Sequence, residues 1–174
     1  MNRVSFSLPH DQGLLTIREA TLEDLDDLVR MNAAMAWETE CRRLDLARLR
    51  AGTQAVLDSR DRGFYLLGVV RRAQEADRAV AQLLVTNEWS DWRNGNFWWI
   101  QSVYVEPQWR RLGIFRQLYR HLETMARSQP EVCGIRLYVE RRNTNAQAIY
   151  SRLGLSPTGY HVFEKDLVLS SERA

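Results

Sequence analysis

The sequence predicts an α/β fold in which helices flank a mixed sheet. Three observations carry that expectation: apolar runs of strand length alternate with stripes at helical spacing, turn residues separate them, and no repeat, low-complexity tract or linker intervenes. With 174 residues and 45% hydrophobic content, the chain has the size and the apolar material for one core. A single domain over 1–174 is therefore expected, with 1–13 as a flexible lead.

The elements follow in order. Leu14 to Arg18 alternates like a short strand. Thr21 then precedes Leu22 with Asp24 three residues on, much like a capping box, so a helix is expected to start there. Leu25, Leu28, Val29 and Met31 or Asn32 keep helical spacing to about Trp37, and Leu46, Leu49 and Val56 repeat it in a second helix from Leu44 to Leu57. Phe64 to Val70 and Ala79 to Thr86 read as an antiparallel hairpin across the charged turn Arg71 to Arg78. After the turn Asn94-Gly95-Asn96 comes a long strand, Phe97 to Val105, ended by Pro107. Leu118, Leu122 and Met125 stripe a helix from Leu112 to Ala126, with Pro130 just beyond it. A strand over Val132 to Val139, a short helix over Asn145 to Leu153 stopped by Gly154, and a closing strand over Tyr160 to Leu169 complete the reading.

Charge and cysteines narrow the function classes. The 24 basic and 22 acidic residues nearly cancel, and the arginine pairs are spread along the chain, which argues against the continuous basic stripe that nucleic acid requires. Cys41 and Cys133 show no metal-ligand spacing, so no metal site is expected; both should be reduced, with Cys133 a small core residue. Met1 to Gly13 lacks the basic start and apolar run of a signal peptide, and no stretch approaches the roughly 18 apolar residues of a membrane span, so a cytoplasmic protein without membrane partners is expected.

The most informative stretch runs from Val103 through Tyr104, Val105, Glu106 and Pro107 to Arg110, Arg111, Leu112, Gly113, Ile114, Phe115 and Arg116. It reads as strand, turn and helix start. Such a turn offers unpaired N–H groups and the positive end of a helix dipole, which suit a diphosphate. Gly113 would allow close approach, and Arg110, Arg111 and Arg116 add positive charge. The same residues would also suit a glycine packed on a strand with arginines facing solvent.

Arg110-x-x-Gly113-x-Phe115, after the Val105-Glu106-Pro107 strand end, resembles the Q/R-x-x-G-x-G/A acetyl-CoA motif of the Gcn5-related N-acetyltransferases. Asn143-x-x-Ala146-x-x-x-Tyr150-x-x-x-Gly154-Leu155 is similar to the block that ends the same family's cofactor half. The resemblance implies a mixed, mostly antiparallel sheet of six to seven strands with about four helices. It also implies acetyl-CoA as cofactor and direct transfer, in a ternary complex, to a primary amine of a small molecule or protein. By the same resemblance Val103, Tyr104, Val105, the run Arg110 to Arg116, Asn143 and Tyr150 hold the cofactor, and the strands Val103 to Val105 and Val132 to Val139 splay around pantetheine. The Val105 amide would bond the thioester oxygen, and Tyr150 would protonate the departing sulfur. Phe115 departs from the family's small residue, and must point away from the diphosphate.

Acyl transfer to an amine also needs a base. Some family members place a glutamate where this chain has Trp99, which accepts no proton; Gln101 can only orient a water. Glu88 and Asp91, read as loop acids, are the candidates for taking the proton through water, with solvated acids as the bland alternative. Glu38 and Glu40 beside Trp37 fall where the family's acceptor site lies and would suit an ammonium group. Trp89, Trp92, Trp98 and Trp99 read as packing rather than a cofactor box. Packed-helix and helix-capping roles stay open for Tyr150 and Asn143. A non-catalytic CoA-sensing module is the competing reading, and the family also allows a homodimer through Tyr160 to Leu169.

Overall fold

The computed structural model describes residues 3–9 and 12–167. The chain parts into two compact units, one ending at Tyr138 and one beginning at Val139.

The first unit is built on a six-stranded sheet in sequence order: β1 (Val4–Ser7), β2 (Leu14–Glu19), β3 (Phe64–Arg71), β4 (Arg78–Ser90), β5 (Gly95–Val105) and β6 (Val132–Leu137). Every neighbouring pair is antiparallel except β5 and β6, which run parallel. The expected capping box is present: the Thr21 amide donates to Asp24 Oδ2 at 2.8 Å, while Arg18 donates to both Asp24 oxygens at 2.7 Å. It opens a short 3-10 turn, Leu22–Asp24, that runs into α1 (Leu25–Glu40). Asp45 then caps α2 (Leu46–Asp58) by accepting from the Ala47 and Arg48 amides.

The two sheet faces are covered differently. Leu28 and Met31 of α1, with Val56 and Leu57 of α2, pack on Tyr65, Leu67, Val69, Ala79 and Tyr104. On the opposite face α3 (Ile114–Arg127) buries Ile114, Leu118 and Leu122 almost completely. Ile114 there approaches Gly68, which alternates with Leu67 and Val69 along β3. Each such buried aliphatic side chain contributes about 1.5–3 kcal/mol, so α3 is fixed by its stripe and its N-terminus is rigidly presented. The second unit contains α4 (Thr144–Arg152), capped by Asn143, whose Oδ1 accepts from the Ala146 amide at 3.0 Å.

Several expectations are corrected. Val4–Ser7, inside the expected flexible lead, forms β1 by pairing along β2. β4 continues to Ser90 because Asn87, Glu88, Trp89 and Ser90 pair with Trp98, Phe97, Asn96 and Gly95, so Glu88 lies on a strand, not in a loop. Trp98 is buried, but Trp89 and Trp92 are 60% and 87% exposed at the end of that hairpin rather than packed. Cys133 is only half-buried, on β6 at the end of the sheet formed by the described residues. The closing strand does not form over 160–167, and its last two residues lie outside the described ones. Among the described residues, no helix is long and apolar enough to cross a membrane.

Candidate active site

The site begins where β5 loses a neighbour. β6 pairs with β5 from Asn96 to Ile100, where Ile100 meets Leu137, and among the described residues no strand continues along 101–105. At the same point the register against β4 shifts: Ile100 faces Val85 and Ser102 faces Leu84, so Gln101 is a bulged extra residue. Beyond the bulge the Glu106 amide donates to the Val80 carbonyl at 2.9 Å. By the alternation of an antiparallel ladder, Ser102 and Tyr104 also turn their main-chain groups toward β4, whereas Val103 and Val105 turn theirs to the open edge.

That edge leads into the turn. Pro107–Trp109 forms one 3-10 turn, Arg111 is left-handed at φ 66°, and Gly113 at φ 79° is the N-cap of α3. No side chain caps this helix. Its first amides lack intrahelical acceptors and meet the positive end of the dipole, so the turn presents donors where the open edge ends. A Cβ at Gly113 would lie 3.3 Å from Arg116 Nη2, which puts that guanidinium over the glycine. Phe115 is half-buried with its ring 6.3 Å from Tyr119, along the helix.

Charged groups brace the turn from behind. Arg110 donates from Nε to the Val105 carbonyl at 2.8 Å and forks onto Glu38 of α1. This bonding holds the Glu38 carboxyl below its ordinary range. Tyr104, under the Arg110 guanidinium, is buried, and burial raises its phenol above the usual value. Glu106, a residue that sequence reasoning passed over, is 4% exposed and accepts from Arg30, from Arg78 at 2.9 Å and from Gln108 at 2.7 Å. Its partners come from α1, β4 and the turn itself. A carboxylate directly before the turn's proline was the signal available.

The other predicted site residues lie as follows. Glu88 accepts at Oε1 from Arg136 Nη1 at 2.5 Å. Asp91 opens a 3-10 turn and accepts from the Trp92 amide, so it serves local structure. Gln101 Nε2 donates to Thr86 Oγ1 at 2.9 Å. Glu40 is exposed, with Arg42 3.9 Å away. A cation does lie over Trp37, but it is the protein's own Arg43, 5.4 Å from the ring. Leu112 is half-buried in the turn. In the second unit Asn143 is the cap of α4, and Tyr150 is half-buried, its phenol raised by burial above the usual value. The first unit thus brings together Val103, Val105, Arg110, Gly113, Arg116 and Glu38.

Comparison with known proteins agrees with this geometry. A family model described as the acetyltransferase (GNAT) family matches residues 22–155. The chain is similar to the crystal structure of a possible acetyltransferase from Clostridium difficile 630, at 41% identity and a TM-score of 0.79, over 88% of this chain and 98% of that one. At 13% identity and a TM-score of 0.69 it shares a fold with the aminoglycoside N-acetyltransferase AAC(6')-Iy in complex with CoA, over 97% of this chain and 99% of that one. A ribosomal-protein-alanine N-acetyltransferase from Brucella melitensis biovar Abortus 2308 has the same fold at 14% identity and a TM-score of 0.66, over 88% of this chain and 99% of that one. No curated protein sequence matches the chain.

Proposed function

The chain belongs to the GNAT family of acetyltransferases, and from that premise we propose that it moves an acetyl group from acetyl-CoA directly to a primary amine in a ternary complex. One observation carries the reading: the edge of β5 over 101–105, unpaired among the described residues, runs straight into a glycine turn and an uncapped helix N-terminus. A thioester arm wants main-chain partners and a diphosphate wants amide donors, and the two features are contiguous here. The residues therefore fit the cofactor.

Acetyl-CoA supplies the acetyl group already activated as a thioester. Val103 and Val105 would offer main-chain bonds to its arm, the Val105 amide being the proposed donor to the thioester oxygen. The amides opening α3, with Arg111 and Arg116, would take the diphosphate. Arg110 is engaged by Val105 and Glu38, so its proposed part is to hold the turn in shape. Phe115, directed along α3 toward Tyr119, leaves the turn's amides usable. Glu88 has one oxygen held by Arg136, and its other oxygen is the proposed acceptor, through water, of the amine's proton. Tyr150 is proposed as the acid for the departing thiolate on its motif and on the burial that keeps its phenol protonated.

The test is calorimetric titration of acetyl-CoA into the parent chain and into Gly113→Glu, which adds a side chain at φ 79° and a negative charge in the turn. Affinity should fall at least about a hundredfold, the scale of losing several charge-assisted hydrogen bonds. Equal affinities would remove the cofactor from this turn.

A further inference from the structure

Resting on that reading, we propose that the amine acceptor carries a hydrogen-bond-accepting oxygen near its amino group, a carboxylate or carbonyl as in an amino acid or peptide, and that Trp99 and Arg136 receive it. Both belong to the sheet face on which α1 and α2 pack, beyond the part those helices cover. Trp99 pairs with Thr86 of β4 on one side and with Arg136 of β6 on the other, so the three side chains share a face.

Arg136 is held in place. Its guanidinium lies 3.7 Å from the Phe97 ring centroid and 5.9 Å from that of Trp99, and Nη1 donates to Glu88 at 2.5 Å. A guanidinium carries five N–H donors, of which this bond uses one, and 31% of the side chain is open to solvent. Beside it the Trp99 ring packs 4.6 Å from Tyr138, and its Nε1 is buried with no hydrogen-bond partner among the described residues. The Ser102 hydroxyl, past the Gln101 bulge, is likewise buried and unpartnered.

Trp99 Nε1 is closed to solvent; a shift of the ring on binding would bring it to the arriving oxygen, whose bond removes the cost of an unpaired buried N–H. An indole N–H can only donate, and so can a guanidinium, so whatever satisfies both must accept. A protonated polyamine brings only donors, and so leaves the indole and the spare guanidinium N–H groups without acceptors. The acidic pair that would favour such a cation is compromised, because Glu38 is neutralised by Arg110. The preferred acceptor therefore has an anionic or carbonyl oxygen on the Arg136 side and its amino group toward the open edge.

The experiment is CoA release from acetyl-CoA with alanine, alaninamide, a lysine-containing tripeptide, putrescine and spermidine as acceptors, for the parent and for Trp99→Phe, Arg136→Gln and Arg136→Lys. The oxygen-bearing amines should exceed the polyamines in kcat/KM by about tenfold or more, as expected for a site that leaves polar groups unpaired with the wrong ligand. Trp99→Phe and Arg136→Gln should raise the KM for the best acceptor by about tenfold and leave the KM for acetyl-CoA within about twofold, while Arg136→Lys, keeping charge but not the fork, should fall between. Polyamines turned over as well as the others, no turnover of any oxygen-bearing amine, or unchanged selectivity in both Trp99→Phe and Arg136→Gln would overturn the proposal. Acetyl-CoA titration separates the two readings: no binding defeats the parent reading, whereas binding without this selectivity defeats the present one alone.

Discussion

Arg110 and Glu38 form a two-pronged pair, Nη1 to Oε1 at 2.5 Å and Nη2 to Oε2 at 2.7 Å, that ties the end of α1 to the turn before α3, 72 residues away in sequence. Through Nε the same guanidinium holds the Val105 carbonyl at 2.8 Å. One side chain thus links α1, the open strand edge and the turn.

The pair predicts a pH dependence. Hydrogen bonding from Arg110 depresses the Glu38 carboxyl below the ordinary 4.5. A depressed carboxyl contributes stability that is present above 4.5 and lost as the pH falls through the depressed value. Both side chains are around two-fifths exposed, which limits the contribution to about 0.5 kcal/mol. Urea unfolding of the parent and Glu38→Gln should differ by that amount at neutral pH and converge once the pH has fallen below the depressed Glu38 value. A difference that persists in acid would show that the pair's charge is not its source.

Glu106 should matter more. Its carboxylate is 4% exposed and accepts from Arg30, Arg78 and Gln108. Glu106→Gln keeps the shape but removes the charge, and hydrogen bonds to charged groups are worth about 1.5–3 kcal/mol each. Because Arg30 and Arg78 are partly exposed and can turn to water, a loss of about 2–3 kcal/mol in all is expected, or roughly 5–10 °C in Tm for a chain of this size. Thermal unfolding followed by circular dichroism measures it. The same variant should bind acetyl-CoA less tightly, since the carboxylate fixes the residue between Val105 and the turn.

How much of this was legible depends on where the determining contacts lie. The stripe Leu118, Leu122 and Met125 announces α3 because its contacts repeat locally, and the helix forms over Ile114–Arg127 as its spacing requires. The turn at Gly113 is legible for the same reason, glycine being suited to the left-handed φ it adopts. Asn87, Glu88 and Ser90 make their stretch look like loop because they are polar, and only pairing with Trp98 to Gly95 makes it strand. Glu106 finds Arg30 and Arg78 at separations of 76 and 28 residues, and Glu88 finds Arg136 at 48. No local pattern encodes such partners. Tyr160 to Leu169 reads as a closing strand, yet Tyr160, Val162, Phe163 and Leu167 are exposed and no strand forms over 160–167. Apolar and aromatic residues mark a segment's fitness for a sheet, and pairing still has to supply the neighbour.

Tyr150 offers a last test. The motif makes it the proposed proton donor, and burial raises its phenol above the ordinary 10.0. An acid is useful only while protonated, so activity that depends on this tyrosine should persist with rising pH until its raised value is reached, beyond where a solvent-exposed phenol would have ionised. Tyr150→Phe should lower kcat by about 10²–10⁴-fold, the usual worth of a positioned acid, and leave acetyl-CoA affinity nearly unchanged. Turnover should be followed by a thiol reagent from neutral pH to about pH 10.5, with calorimetric titration of acetyl-CoA alongside. In the parent, any decline below pH 10 should also appear in Tyr150→Phe, since it arises from other groups. A decline confined to the parent below that pH would mean that burial does not govern the phenol, and an unchanged kcat in Tyr150→Phe would return the residue to packing in the second unit.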